Sequence, residues 1–303
     1  MEKKPLVVVN GLVRKDAIAY LKEHVDVRQW TEKTVMPRET LKEWLVDADG
    51  LWCVRPLDVD GDLVKNAPNL KVIAQAAVGY DNVKIDELTA AGIPYGNTPG
   101  VLNETVAELA FTLIATASRR ILENANFVKE GRWAQRPSNI KGFDLSRRTL
   151  GIIGMGAIGV SISRRARAFG MTVVYHNRNQ RIDDKIHKTT YMELDDLLAT
   201  SDVVCVMAPL TDETYHMCDE AFFKKMKNTA LFVNVGRGPI VDTDALINAL
   251  KTGEIDYAAL DVTDPEPLPA DHPLLDVENC LIVPHIGSYT CLLYTSDAAD
   301  DMQ

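Results

Sequence analysis

Apolar and polar positions along this chain are grouped in blocks rather than alternating residue by residue. Short apolar runs recur at 6–10 (LVVVN), 51–54, 72–76 and 93–95, and again at 150–153, 172–175, 203–207, 230–235, 257–262 and 281–283. Runs this short, apolar on successive residues, predict strands covered on both faces. Between them lie stretches with helical spacing: 16–24, 37–46 with Pro37 near its first turn, 101–121 and 160–169. In 101–121, Asn103 is the candidate N-cap and Glu104 suits the positive end of the helix dipole. The segment 123–148 reads as polar and irregular, leading into the next strand. Strands alternating with helices predict an α/β chain whose parallel sheets carry helices on their faces.

The run at 150–153 breaks into Gly154-x-Gly156-x-x-Gly159 and then a helical stretch. That order is strand, tight turn, helix N-terminus, the arrangement that receives the pyrophosphate of a dinucleotide. The first glycine allows the turn, the second lets the phosphates approach the backbone, and the third lets helix and strand pack closely. The next strand ends at His176-Asn177-Arg178, where an acidic residue would bind the ribose 2′-hydroxyl of NAD. Asn177 stands in that place, followed by Arg178 and, within reach, Arg181. A 2′-phosphate needs cations and is repelled by a carboxylate, so NADP(H) is favoured, with NAD(H) the alternative.

Ligands of such sheets bind outside the carboxyl ends of the strands. Four late strands are each followed by a chemically capable segment: 208–211, 236–238 with Arg237, 264–266 with Glu266, and 284–287 with His285. The topology brings all of these to the edge that carries the glycine turn. In the first part of the chain, Arg55 follows a strand and is a candidate substrate cation, with a solvated surface arginine as the alternative. The loop 77–82 (AVGYDN) reads either as a backbone nest for a carboxylate or as an ordinary strand-to-helix turn.

Composition narrows the function class. A net charge of −10 and 46% hydrophobic residues describe a globular protein with no basic surface for nucleic acid or anionic lipid. No segment is long and apolar enough to span a membrane, and MEKKPLVVVN is too short for a signal peptide. The five cysteines, Cys53, Cys205, Cys218, Cys280 and Cys291, form no CxxC pair, so no disulfide or metal site is expected. A reduced, cytoplasmic setting follows.

With these segments in view, the chain closely resembles the D-isomer-specific 2-hydroxyacid dehydrogenases. The motifs are VGYDN at 78–82, NTPGVLNETVAELA at 97–110, TLGIIGMGAIG from Thr149, NVGRGPIVDTDAL at 234–246, ALDVTDPEP at 259–267 and PHIGS at 284–288. The resemblance implies that Arg237 binds the substrate carboxylate, His285 is the acid/base and Glu266 its partner. It implies cofactor contacts from Ala157, Ile158, Ala208, Pro209, Thr214, Val235, Gly236, Arg237, Asp261 and His285. Substrate contacts are implied for Ser288 and for the backbone of Val78 and Gly79. The activity implied is reduction of a small 2-oxo acid to a D-2-hydroxy acid, most like the glyoxylate, hydroxypyruvate and 2-ketogluconate reductases, in a homodimer. Glu266 disfavours the related formate dehydrogenases, which carry glutamine there. The C-terminal-binding-protein corepressors, nucleotide-sensing proteins of this fold, are the alternative class.

The expected architecture is two doubly wound parallel-sheet domains: a flavodoxin-like substrate domain over 1–99 and a Rossmann nucleotide domain over 100–285. Residues 286–290 would begin a return crossover. The resemblance stops at Thr290, and the following CLLYTSDAADDMQ has no amphipathic period. CLLYTS reads as a translated sequencing adaptor, so 291–303 is expected to be a non-native tail in place of a closing helix.

Overall fold

The computed structural model describes residues 3–54, 57–134 and 140–290. Arg55 and the expected tail lie outside the described residues. The chain divides into two compact units, the first ending at Val101 and the second spanning Leu102–Thr290.

In the first unit the order is β1 (Leu6–Val9), α1 (Lys15–His24), β2 (Asp26–Gln29), α2 (Arg38–Leu45), β3 (Gly50–Cys53), α3 (Gly61–Lys65), β4 (Val72–Gln75), α4 (Ile85–Ala90) and β5 (Tyr95–Gly96). The strands form one parallel sheet in the order β2-β1-β3-β4-β5, the flavodoxin-like winding. Leu41, Leu45, Leu63 and Leu88 from the helices close over Val8, Leu51 and Ile73 from the sheet. The strand β2 was not visible in the apolar pattern. It reads DVRQ, lies at the sheet edge and buries none of its residues completely, so it needs no apolar run.

The second unit opens with α5 (Asn103–Ser118) and α6 (Ile121–Lys129) and a 3-10 turn at Arg132–Ala134. There follow β6 (Thr149–Ile153), α7 (Ala157–Ala168), β7 (Thr172–His176), α8 (Asp184–His187), β8 (Thr190–Tyr191), α9 (Leu194–Thr200) and β9 (Val203–Val206). The last elements are α10 (Glu220–Lys225), β10 (Leu231–Asn234), α11 (Thr243–Thr252), β11 (Tyr257–Leu260) and β12 (Cys280–Ile282). All seven strands are parallel, in the order β12-β11-β10-β9-β6-β7-β8. The winding reverses between β6 and β9, the switch point at which open α/β sheets bind their ligands. Side chains of β9 alternate between two cores: Val204 and Val206 join Phe223 and Leu250 on one face, while Val203 and Cys205 join Ile114 and Ile162 on the other. A doubly wound sheet needs that two-sided burial.

Three expectations for the start of this unit need correction. The stretch 101–121 is not one helix: Arg120 takes a left-handed conformation (φ 50°) and separates α5 from α6. Most of α6 falls in the stretch read as irregular; none of its residues is buried, and its apolar Ile121, Leu122 and Val128 stand exposed. Asn103 is not a cap either. It is the first helical residue, Leu102 takes the cap position, and no side chain bonds the cap. Glu104 in that first turn instead joins α5 to α7, accepting from Ser161 Oγ at 2.7 Å and from Arg165 at 3.0 Å.

Candidate active site

The glycine turn lies between β6 and α7, at the switch point. Gly154 has φ +99°, and a Cβ there would stand 2.5 Å from the amide nitrogen of Ala208, so only glycine fits. A Cβ on Gly159 would meet the carbonyl of Gly154 at 2.8 Å, which keeps helix and turn in contact. Gly156 differs: a Cβ on it would meet nothing within 4 Å. The open side of the turn is therefore at the middle glycine, next to the first-turn N–H groups of Ala157, Ile158 and Gly159. Gly156 caps α7 without any side-chain hydrogen bond. A backbone cradle with free space beside its bare helix end fits the pyrophosphate of a nicotinamide dinucleotide.

The neighbouring strand ends line the same edge. Gly154 N donates to His176 O, and Met155 N to Asn177 Oδ1 at 2.6 Å, so the end of β7 is laced to the glycine turn. Arg181 reaches Met155 O at 2.9 Å and pairs with Asp183, while Arg178 stands exposed. After β9, Thr214 Oγ1 donates to Pro209 O at 2.7 Å and accepts from Thr211 N, which fixes the turn that follows Ala208.

The loop after β10 is shaped by a residue that pattern reading passed over. Asn234 is fully buried at the strand's end; its Oδ1 accepts from Gly236 N at 3.0 Å and its Nδ2 donates to Arg237 O at 2.9 Å. A buried carboxamide with both ends satisfied fixes Val235, Gly236 and Arg237 relative to the sheet. The signal was a polar residue closing an otherwise wholly apolar buried strand. Gly238 follows where a Cβ would overlap the Thr263 carbonyl at 1.8 Å, so the loops after β10 and β11 touch backbone to backbone.

Asp261, just after β11, performs a similar task for His285. Both of its carboxylate oxygens accept backbone N–H groups, from Ile286 at 2.7 Å and Gly287 at 3.0 Å, and its carbonyl accepts from His285 N at 2.9 Å. Burial raises its carboxyl above the ordinary range, partly opposed by those N–H groups. His285 is thereby held at φ +52°, a conformation that a non-glycine residue rarely adopts. Ser288 closes the same turn, its carbonyl accepting from Thr290 N.

So placed, the His285 imidazole meets Glu266: Nδ1 and Oε1 are 2.6 Å apart. That bond raises the His285 pKa against the opposing effect of burial, and the same bond lowers that of Glu266. Arg237 acts electrostatically on both, adding to the lowering of Glu266 and opposing the rise of His285. Of the three side chains expected to converge from separate strands, His285 and Glu266 are in direct contact, their side chains 45% and 42% exposed, and the charge of Arg237 reaches both. In the first unit, the Val78 and Gly79 carbonyls accept from Asn97 and Gln75, which stiffens their loop. Among the described residues no group of three or more His, Cys, Asp or Glu could hold a metal ion. A hollow of about 900 Å³ lined by Arg119, Ile121, Lys141 and Phe143 shares no residue with this site.

Residues 111–287 match the family model for the NAD-binding domain of D-isomer specific 2-hydroxyacid dehydrogenases. A glyoxylate reductase of Korarchaeum cryptofilum is 42% identical over 94% of this chain and 87% of its own. The chain belongs to the D-isomer specific 2-hydroxyacid dehydrogenase family. Solved members share its shape. The NADPH-dependent glyoxylate/hydroxypyruvate reductase of Sinorhizobium meliloti, in complex with NADP and malonate, superposes with a TM-score of 0.85 at 29% identity, over 96% of this chain and 89% of that one. The D-lactate dehydrogenase of Aquifex aeolicus, in complex with NAD and lactic acid, gives 0.83 at 29%, over 96% and 91%. This family member is accordingly an NAD(P)-dependent oxidoreductase acting on 2-oxo or 2-hydroxy acids. None of its helices among the described residues is long and apolar enough to cross a membrane.

Proposed function

We propose that this dehydrogenase reduces small 2-oxo acids of the glyoxylate, hydroxypyruvate or 2-ketogluconate type to D-2-hydroxy acids, with NADPH preferred. The observation that carries the reading is the 2.6 Å His285–Glu266 pair beside Arg237, on the sheet edge that bears the glycine turn. A reduced nicotinamide, when bound, supplies the hydride that the carbonyl carbon accepts. Negative charge then develops on the carbonyl oxygen, and His285 gives that oxygen a proton from Nε2 as general acid. Glu266 keeps the imidazole charged and, through Nδ1, turns Nε2 outward. Arg237 grips the substrate carboxylate in a two-point fork, which orients the carbonyl. The loop chemistry at Asn177 and Arg178 supports NADPH, since no carboxylate occupies the ribose end of β7.

The test is steady-state reduction of glyoxylate, hydroxypyruvate and 2-ketogluconate with each nicotinamide. Turnover is expected with NADPH, and His285→Asn is expected to lower kcat by a factor on the order of 10²–10⁴. A strong NADH preference would refute the cofactor reading, and absence of turnover on every acid would refute the enzymatic one.

A further inference from the structure

The loop after β7 carries two arginines in different circumstances. Arg181 is engaged on every side: Nε and Nη2 donate to the two carboxylate oxygens of Asp183 at 2.8 and 2.6 Å, and Nη1 donates to Met155 O at 2.9 Å. Met155 lies between the first two glycines of the phosphate turn. Asp183 Oδ2 also meets His187 Nε2 at 3.0 Å, which holds the carboxylate further. The loop backbone is anchored as well, because Arg181 N donates to the hydroxyl of the fully buried Tyr175, which donates in turn to Asp184. Arg178 is exposed and makes no hydrogen bond or ion pair among the described residues. Its charge reaches Glu213, on the turn after β9.

A guanidinium already forked onto a carboxylate has its best geometry satisfied, and a second anion must compete for it. We infer that Asp183 is a specificity-determining residue of the nucleotide site: it holds Arg181 as a brace of the glycine turn and leaves Arg178 as the cation open to a 2′-phosphate. The inference rests on the proposed reading that the adenosine ribose lies at the end of β7. It separates two arginines that adjacency in the sequence puts on an equal footing.

Calorimetric binding of ADP-ribose and of 2′-phospho-ADP-ribose to the full chain tests it without turnover. Asp183→Ala is expected to raise the affinity ratio of phosphorylated to unphosphorylated probe roughly three- to fivefold, the size of one part-exposed charge interaction. Should that variant fail to fold, Asp183→Asn reads the same ratio. Arg178→Gln is expected to lower the ratio. Arg181→Gln is expected to weaken both probes alike, because it loosens the turn that holds their shared pyrophosphate. Asp184→Asn, which removes a charge from the same loop without releasing Arg181, is expected to leave the ratio unchanged. An unchanged ratio in both Asp183 variants overturns the inference. So does an equal rise in Asp184→Asn, or a loss confined to the phosphorylated probe in Arg181→Gln. The wild-type ratio judges the NADPH reading separately: a value below one refutes it, while the shifts among variants still decide the role of Asp183.

Discussion

At the scale of single residues, the candidate site depends on a carboxylate and an imidazole that alter each other. Glu266 raises the His285 pKa, so the imidazolium persists below that raised value and is lost as pH climbs through it. On the proposed mechanism reduction consumes the imidazolium proton, and its rate is expected to fall along the same limb. Glu266→Gln removes the charge, and the limb is expected to move to lower pH, toward the ordinary 6.5 of an imidazole, with kcat/KM at neutral pH reduced roughly tenfold or more. A pH profile of kcat/KM that stays in place in this variant would show that Glu266 does not tune the acid. Stability carries the opposite pair of edges. The contribution of His285 is whole below its unfolded value near 6.5 and disappears as pH rises through the raised one. That of Glu266 is whole above 4.5 and disappears as pH falls through its lowered value. The pair therefore acts fully between those two values, and with both side chains nearly half exposed its share of stability is below about 1 kcal/mol.

At the scale of elements, the strand-turn-helix around Gly154 was legible because each of its glycines answers a separate steric demand. Those demands predict unlike substitutions. Gly154→Ala puts a Cβ 2.5 Å from backbone at a φ of +99° and is expected to destabilise the fold by about 2 kcal/mol or more. Gly156→Ala meets nothing within 4 Å and is expected to melt like wild type while binding ADP-ribose about tenfold more weakly, since its methyl enters the space meant for phosphate. Thermal melts beside calorimetric titrations check both, and a Gly156→Ala protein that binds normally would move the nucleotide away from this turn. Other elements were illegible for a common reason: their sequence records exposure and not structure. Strand β2 at the sheet edge carries no apolar run, and helix α6 buries none of its residues. Residues that work on backbone were equally hidden. Asn234 and Asp261 were quoted within motifs, yet their use, holding the loops of Arg237 and His285, depends on hydrogen bonds to N–H and C=O groups that no side-chain pattern encodes.

At the scale of the whole molecule, alternation of strands and helices announced parallel sheets, and the chain obeys it throughout, in two sheets without one antiparallel pair among the named strands. Strand order was not in the pattern, since a buried parallel strand reads alike wherever it lies in its sheet. Each unit has its own apolar centre: Leu41, Leu51 and Ile73 in the first, the two faces around β9 in the second. Separate cores allow separate melting, and the glycine turn proposed to hold the nucleotide belongs to the second unit alone. A ligand that binds the folded form stabilises the unit that holds it by about 2.7 kcal/mol at a hundredfold excess over Kd. Three of the four tryptophans, Trp30, Trp44 and Trp52, lie in the first unit, so tryptophan emission follows chiefly that unit, while calorimetry sees both. Oxidised nicotinamide cofactor is therefore expected to raise one calorimetric transition by several degrees and to leave the fluorescence midpoint nearly unmoved. A single transition, displaced equally in both signals, would show instead that the two sheets unfold as one cooperative body.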